Sequence, residues 1–286
     1  MGGALNWTLK RYGQYFGAVW ALLLLATPLV VVLAATGASS ARAAETKIIE
    51  IGETIDVQRH VTGQLLKSKR RLKKGMPIRL NEILETGKKA RGEFRFKDDT
   101  KLAVGPNSKI VLDTFIYDPG SSKSSIIINM SRGAFRFVSG KSGNTAYKIK
   151  TPTASIGVRG TIFDVYVAGN GEVAILLHEG AVDVCSTRTK CRLHKVVGQF
   201  FHINGIGRIV GPLKWDGSFF SSMAINAAFP FVGRRLKIDP IRRFRHADLL
   251  GGSALKRARR ALRKPGGSVG KTIRKKSRRL RKFLPF

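Results

Sequence analysis

Acidic residues are scarce in this chain. Its 18 Asp+Glu stand against 52 Lys+Arg in 286 residues, a formal charge of +34. Such an imbalance predicts an anionic partner without naming the anion. Cysteine is scarcer still: Cys185 and Cys191 alone, in VCSTRTKCRL. Two thiols with no second pair nearby do not complete a zinc tetrahedron, so no metal centre is expected. The histidines, His60, His178, His194, His202 and His246, fall in no recognisable catalytic motif. HEG at His178 lacks the second histidine of a zinc-protease helix, and GVRGT lacks the Lys-Ser/Thr of a phosphate-binding loop. Without a motif or a general base beside a nucleophile, neither catalysis nor a cofactor is expected.

Long amphipathic helical patterns are also few between Ile48 and Ile209. That stretch instead shows short alternating runs broken by turn residues. In GEFRFKDDTKLAVGPNSKIVLD, Phe94 and Phe96 share one strand face, Leu102 and Val104 belong to the next strand, and KDDT and GPNS supply turns. The spacing predicts an all-β domain. RGEFRF at Arg91–Phe96 recurs as RGAFRF at Arg132–Phe137 and more weakly as RGTIF at Arg159–Phe163. Repeated glycine corners followed by alternating residues predict a solenoid-like or stacked-sheet architecture rather than a barrel around a ligand.

The N-terminus carries an export signal. Lys10 and Arg11 precede the apolar run YFGAVWALLLLATPLVVVLAA, and A-R-A follows at Ala41 to Ala43. Residues 1–43 therefore read as a signal peptide cleaved before Ala44. The run also approaches the roughly 20 residues that span a bilayer, so an uncleaved anchor is the alternative. In both cases the bulk of the chain lies outside the cytoplasmic membrane, in the periplasm. In that oxidising compartment Cys185 and Cys191 are expected to form a local disulfide, with two free thiols as the alternative.

Residues 48–210 are assigned to the β domain and 211–233 to an apolar linker. The linker's SFFSSMAINAAFPFVG is too short to span a membrane and either packs on the domain or lies in a lipid interface. Residues 234–286 form a basic tail with about 20 of the 52 basic residues. A segment so self-repelling is expected to be disordered alone and to turn helical on phosphate. Its candidate anion-binding residues are Arg257, Arg259, Arg260, Arg263, Lys264, Arg274, Lys275, Lys276, Arg278, Arg279, Arg281 and Lys282. Outside the cytoplasm, anionic membrane or lipopolysaccharide is a more available partner than nucleic acid.

The densest polar stretch is KTPTASIGVRGTIFDVYV, ending at Val167. Here Thr151 and Thr153 are expected to alternate along a strand, with Pro152 between them. Gly157 and Gly160 flank Val158 and Arg159 at a corner, and Thr161, Phe163 and Val165 resume the sheet. Arg159 is expected to be a buried clamp paired with Asp164 or Glu179, with a ligand-binding role as the alternative.

This stretch, followed by VAILLHEGAVDV with its Glu179-Gly180 turn and preceded by FKDDTKLAVGPNSKIVL, resembles the FecR domain. The likeness covers about Ile48 to Val184. It implies an all-β extracytoplasmic domain that binds proteins or envelope components and names no catalytic residues. In founding members a cytoplasmic helical domain binds a sigma factor, one helix crosses the membrane, and the periplasmic part senses a TonB-dependent receptor. Only about fifteen residues precede the apolar run in this sequence, too few for a sigma-binding domain. The reading is therefore a non-enzymatic envelope protein that binds a protein or glycan partner through its β domain and an anionic surface through its tail. The alternative is a membrane-anchored signalling regulator.

Overall fold

The computed structural model describes residues 48–253 and 256, apart from 120–123, 144–145, 187 and 189. Residues 1–43, expected to be a signal peptide or an uncleaved anchor, and the tail cations from Arg257 to Lys282 lie outside the described residues.

Fifteen strands form one open mixed sheet. They are β1 (Glu50–Gln58), β2 (Val61–Leu65), β3 (Ser68–Arg71), β4 (Pro77–Arg79), β5 (Ile83–Thr86), β6 (Arg91–Phe96), β7 (Lys101–Val104), β8 (Lys109–Ile116), β9 (Ser125–Val138), β10 (Tyr147–Lys150), β11 (Ala154–Val167), β12 (Val173–Ser186), β13 (Arg192–His194), β14 (Phe200–Ile203) and β15 (Ile209–Leu213). The all-β expectation holds, with the predicted β6–β7 hairpin in register from Gly92↔Val104 to Arg95↔Lys101.

Three strands of 14 residues organise the sheet: β9, β11 and β12. Each has an exposed pair at its middle: Ser131-Arg132, Arg159-Gly160 and Glu179-Gly180. On either side of that pair the buried positions change parity. Ile126, Ile128 and Met130 give way to Phe135 and Phe137; Ile156 and Val158 to Phe163 and Val165; Ile175 and Leu177 to Val182 and Val184. Strand side chains alternate with a period of two, so each strand must re-aim by one residue at the corner to keep facing one core. Register shifts in β11–β12 pairing around Ile162 mark the place. β10 separates the first halves of β9 and β11, whereas their second halves pair directly. The sheet thus turns back on itself around a shared core, the stacked-sheet form of the expected architecture.

The corners require glycine. Gly133, Gly160 and Gly180 have φ of +102°, +60° and +78°, where a side chain is strained. A Cβ on Gly180 would also stand 2.3 Å from the Gly160 carbonyl oxygen. Two expectations need correcting. Gly157 is not at a corner; it lies within β11, opposite Lys148 and Asp183. Gly92, in the first sequence echo, is also outside the left-handed region and simply opens β6.

The sheet's outer face is covered by the chain after β15, which includes α1 (Ile225–Ala228) and a 3-10 turn (His246–Leu249). Trp215, Phe220, Phe229, Val232 and Leu249 pack on Ala174, Leu176 and Phe200. Phe231, Leu236 and Ile238 pack on Ala103 and Ala134. Full burial of each such side chain is worth about 1.5–3 kcal/mol, which holds a segment with little regular structure. Of the two alternatives for the apolar linker, its described residues take the first and pack on the domain. The packing also continues past Arg234 to Leu249, so residues 234–249 are not the disordered start of a tail.

Candidate functional site: a buried charge network beneath the C-terminal strap

Across the outer face, one register row runs Glu93, Ala103, Arg136, Asp164, Leu176 and Phe200 through β6, β7, β9, β11, β12 and β14. Two carboxylates and a guanidinium therefore sit in an otherwise apolar row, under the strap formed by residues 214–250. Arg136 Nε and Nη2 donate to Asp164 Oδ1 and Oδ2 at 2.6 and 2.8 Å, with both side chains buried. This fork is the strong, directional form of an arginine–carboxylate pair.

The network extends into the strap. Arg136 Nη1 lies 3.5 Å from Asp239 Oδ2. Arg243 Nη1 donates to both Asp239 oxygens at 3.0 Å, and its Nη2 donates to Glu179 at 3.2 Å. Further along, Glu93 Oε2 accepts from the Lys237 and Ile238 backbone N–H groups at 2.6 and 3.1 Å. A buried carboxylate left alone would be costly; here the strap N–H groups serve Glu93 Oε2, and Arg91 Nη2 stands 3.1 Å from Oε1.

Burial by itself would raise the Asp164 carboxyl. The adjacent charges and hydrogen bonds of Arg136 and His178 outweigh it and hold the group at about 2. Burial also disfavours the Arg136 charge, yet Asp164 and Asp239 raise its pKa above the ordinary arginine value. His178 Nε2 stands 3.0 Å from Arg136 Nη2 and 3.1 Å from Asp164 Oδ2. Arginine only donates and a carboxylate only accepts, so this nitrogen serves one neighbour at a time, according to tautomer. The opposite nitrogen, Nδ1, is buried with no hydrogen-bond partner, and the ring packs on Phe244 at 5.6 Å. A His–Asp pair is half of a nucleophilic triad, but no hydroxyl or thiol sits on Nδ1. The cluster can fasten the strap. No group of three or more His, Cys, Asp or Glu among the described residues is arranged to hold a metal.

The expected clamp is elsewhere. Arg159 is exposed at 64% of its side chain and pairs with Asp183, Nη2 to Oδ2 at 2.6 Å. Neither Asp164 nor Glu179 reaches it, because Asp164 is held by Arg136 and Glu179 by Arg243. The corner places Arg159 on its outer bend, where no neighbouring layer covers it. Thr151 and Thr153 do not alternate along a strand either; with Pro152 they form the turn between β10 and β11. Thr151 Oγ1 accepts from the Ala154 N–H at 3.0 Å, and Thr153 Oγ1 donates to Gly171 O at 2.8 Å. Thr161 is the corner's polar pin. Its hydroxyl donates to Ala181 O at 2.7 Å and accepts from the Arg159 N–H at 3.2 Å. Val158, Phe163 and Val165 are core residues.

The sequence reading missed Arg136, His178 and Asp239 as partners in one network. The available signal was the set of ionisable residues inside apolar strands: Arg136 between Phe135 and Phe137, and Asp164 between Phe163 and Val165. The aspartate-rich hairpin also has an internal role. Buried Asp98 Oδ2 accepts from Thr100 Oγ1, Ser142 Oγ and Tyr147 Oη at 2.7, 2.7 and 2.8 Å.

Cys185 and Cys191 form a disulfide joining β12 to β13. Beside it, Arg192 donates to Ile209 O and Gly211 O at 3.0 and 2.7 Å and lies over the Phe201 ring. His194 stacks on Phe201 at 4.3 Å, and burial pulls its pKa down to about 4.

Residues 82–183 match the family described as FecR protein. The chain therefore carries a FecR-like domain, running from Glu82, just before β5, through all three corners to the middle of β12. Two solved structures of a proposed anti-sigma factor from Parabacteroides distasonis ATCC 8503, at 2.50 and 1.65 Å, are similar at 14% identity and a TM-score of 0.37. The likeness covers 45% of this chain and 57% of theirs. It is too loose to fix an activity or a partner. No curated protein matches the chain. Among the described residues no helix is long and apolar enough to cross a membrane.

Proposed function

We propose that this is a non-enzymatic exported envelope protein whose FecR-like domain binds a protein or glycan partner and whose basic tail docks on an anionic membrane or lipopolysaccharide surface. The observation that carries the reading is the FecR match over residues 82–183. The VRGT polar groups add support: Thr161 serves the corner backbone and Arg159 pairs with Asp183. The test combines in-cell crosslinking of the envelope fraction with vesicle binding by a chain ending at Ser253. Vesicle binding equal to that of the intact chain would defeat the docking half. Absence of any crosslinked protein or glycan would defeat the binding half.

A second reading is a membrane-anchored signalling regulator related to FecR-type regulators of sigma factors. It is favoured by the same match and by the length of the apolar run that ends at Ala35. Intact-mass spectrometry of the envelope protein separates the two: a chain starting near Ala44 ends the second reading, and an intact Met1 start ends the soluble form of the first.

A further inference from the structure

Three loops meet at one end of the sheet. Gly87 N–H donates to His60 O and Leu72 N–H to Val61 O, each at 2.9 Å, while Arg71 Nη2 reaches Arg59 O at 3.4 Å. These contacts gather the β1–β2 connection, the chain leaving β3 and the β5–β6 turn. Together they carry Arg59, Arg71, Lys73, Lys74, Lys88 and Lys89, all exposed.

The carboxylates on neighbouring elements are already engaged. Asp56 pairs with Lys237 at 2.8 Å and Arg91 at 3.7 Å. Glu93 pairs with Arg91 at 3.1 Å, and Glu85 with Lys69 and Lys109 at 3.2 Å each. None of the six cations has an ion-pair partner among the described residues. Like charges gathered without neutralisation repel one another and draw anions to that surface. Arg59 adds an independent sign, since it holds a left-handed backbone with φ of 65°. Glycine or asparagine is the low-strain choice there, yet a long cation occupies it.

We infer that this end of the domain is a second docking surface, for the anionic phospholipid headgroups of a membrane, separate from residues 257–286. The cations are exposed on three separate loops, so they suit an extended charged surface better than one enclosed anion. The inference rests on the proposed envelope location and changes what holds the protein there: domain and tail both bind.

The test is co-sedimentation of the mature chain, tail intact, with phosphatidylcholine vesicles with and without phosphatidylglycerol. Each basic residue at an anionic surface strengthens binding about fivefold. The variant Lys73→Gln/Lys88→Gln/Lys89→Gln is therefore expected to bind phosphatidylglycerol vesicles at least ~10-fold more weakly, with an unchanged thermal melt. If its melt shifts, Lys88→Gln/Lys89→Gln is used instead, again with weaker binding expected. Parent-like affinity overturns the inference. A companion variant, Arg274→Gln/Lys275→Gln/Lys276→Gln/Arg278→Gln/Arg279→Gln, separates the two surfaces. Loss only in this variant leaves the tail reading standing and sinks the domain surface; loss only in the loop variant does the reverse. A parent chain that ignores the vesicles, or binds heparin alone, overturns both membrane assignments.

Discussion

Arg136 and Asp164 face each other across β9 and β11 with two parallel hydrogen bonds of 2.6 and 2.8 Å, and the strap closes over both. Removing one partner leaves a buried charge uncompensated, which costs about 3–5 kcal/mol. Arg136→Ala is therefore expected to lower the unfolding free energy by that much and to loosen the strap through Asp239. Arg159→Ala, which removes an exposed pair, is expected to cost no more than about 1 kcal/mol. Denaturant titrations of the two variants side by side check the contrast; equal losses would contradict it.

The two truncation points should behave differently. Ending the chain before Arg234 removes the Lys237 and Ile238 N–H groups from Glu93 and removes Asp239 from Arg136. It also strips Leu236 and Ile238 from the sheet face. That variant is expected to lose more than about 3 kcal/mol or to fail to fold. A chain ending at Ser253 keeps these contacts and is expected to melt with the parent. Circular dichroism melts decide it.

Acid should weaken the fold in two windows. Burial lowers His194 from 6.5 to about 4, so the folded state prefers the neutral ring. Its contribution is complete above about pH 6.5 and is lost as pH falls through 4. Asp164 lies at about 2 against an ordinary 3.8. Its contribution is complete above the ordinary value and is lost as pH falls through 2. At ~1.4 kcal/mol per pKa unit the two amount to about 3 and about 2 kcal/mol. A stability profile of His194→Phe is expected to fall less steeply between pH 6.5 and 4, where His202, also lowered by burial, still contributes, while keeping the lower-pH decline.

Reduction should act locally. Cys185 and Cys191 are six residues apart, and a loop that short constrains the unfolded chain by about 2 kcal/mol. Cys185→Ala/Cys191→Ala is expected to lose about that much. Amide exchange should rise first in β13 and β15, which Arg192 ties together, and leave β9 protected. Uniform loss of protection would speak against a local role.

At the β11–β12 corner, Gly180→Ala combines a φ of +78° with a Cβ 2.3 Å from Gly160 O. The expected cost is at least about 2 kcal/mol. A melt within a degree of the parent would refute the need for glycine there.

Period-two alternation made the β domain legible, because it reflects a local geometry that any half-buried strand shares. Glycine before an alternating run marked the corners at Gly133 and Gly160 for the same reason, but it marked Gly92 as well, which is no corner, and Gly180 stood out only through the FecR resemblance. The cysteine pair was legible from its spacing, its even count and the expectation of export. By contrast, RGEFRF and RGAFRF are nearly the same string and place their second arginines in opposite environments. Arg95 is half-exposed and pairs with Glu53, whereas Arg136 is buried between Asp164 and Asp239. Nothing local separates them. The difference lies in a strap about a hundred residues further along, which covers one arginine and leaves the other in water.

Most strands and the corners at Gly133 and Gly160 follow from the steric preferences of neighbouring residues, and a chain read alone carries those preferences. Which charges are buried, and that Thr151 and Thr153 form a turn, depend on contacts between distant parts of the chain. Burial depends on what packs above a residue, and in this protein that cover is the Trp215–Leu249 segment, whose composition read as linker and tail.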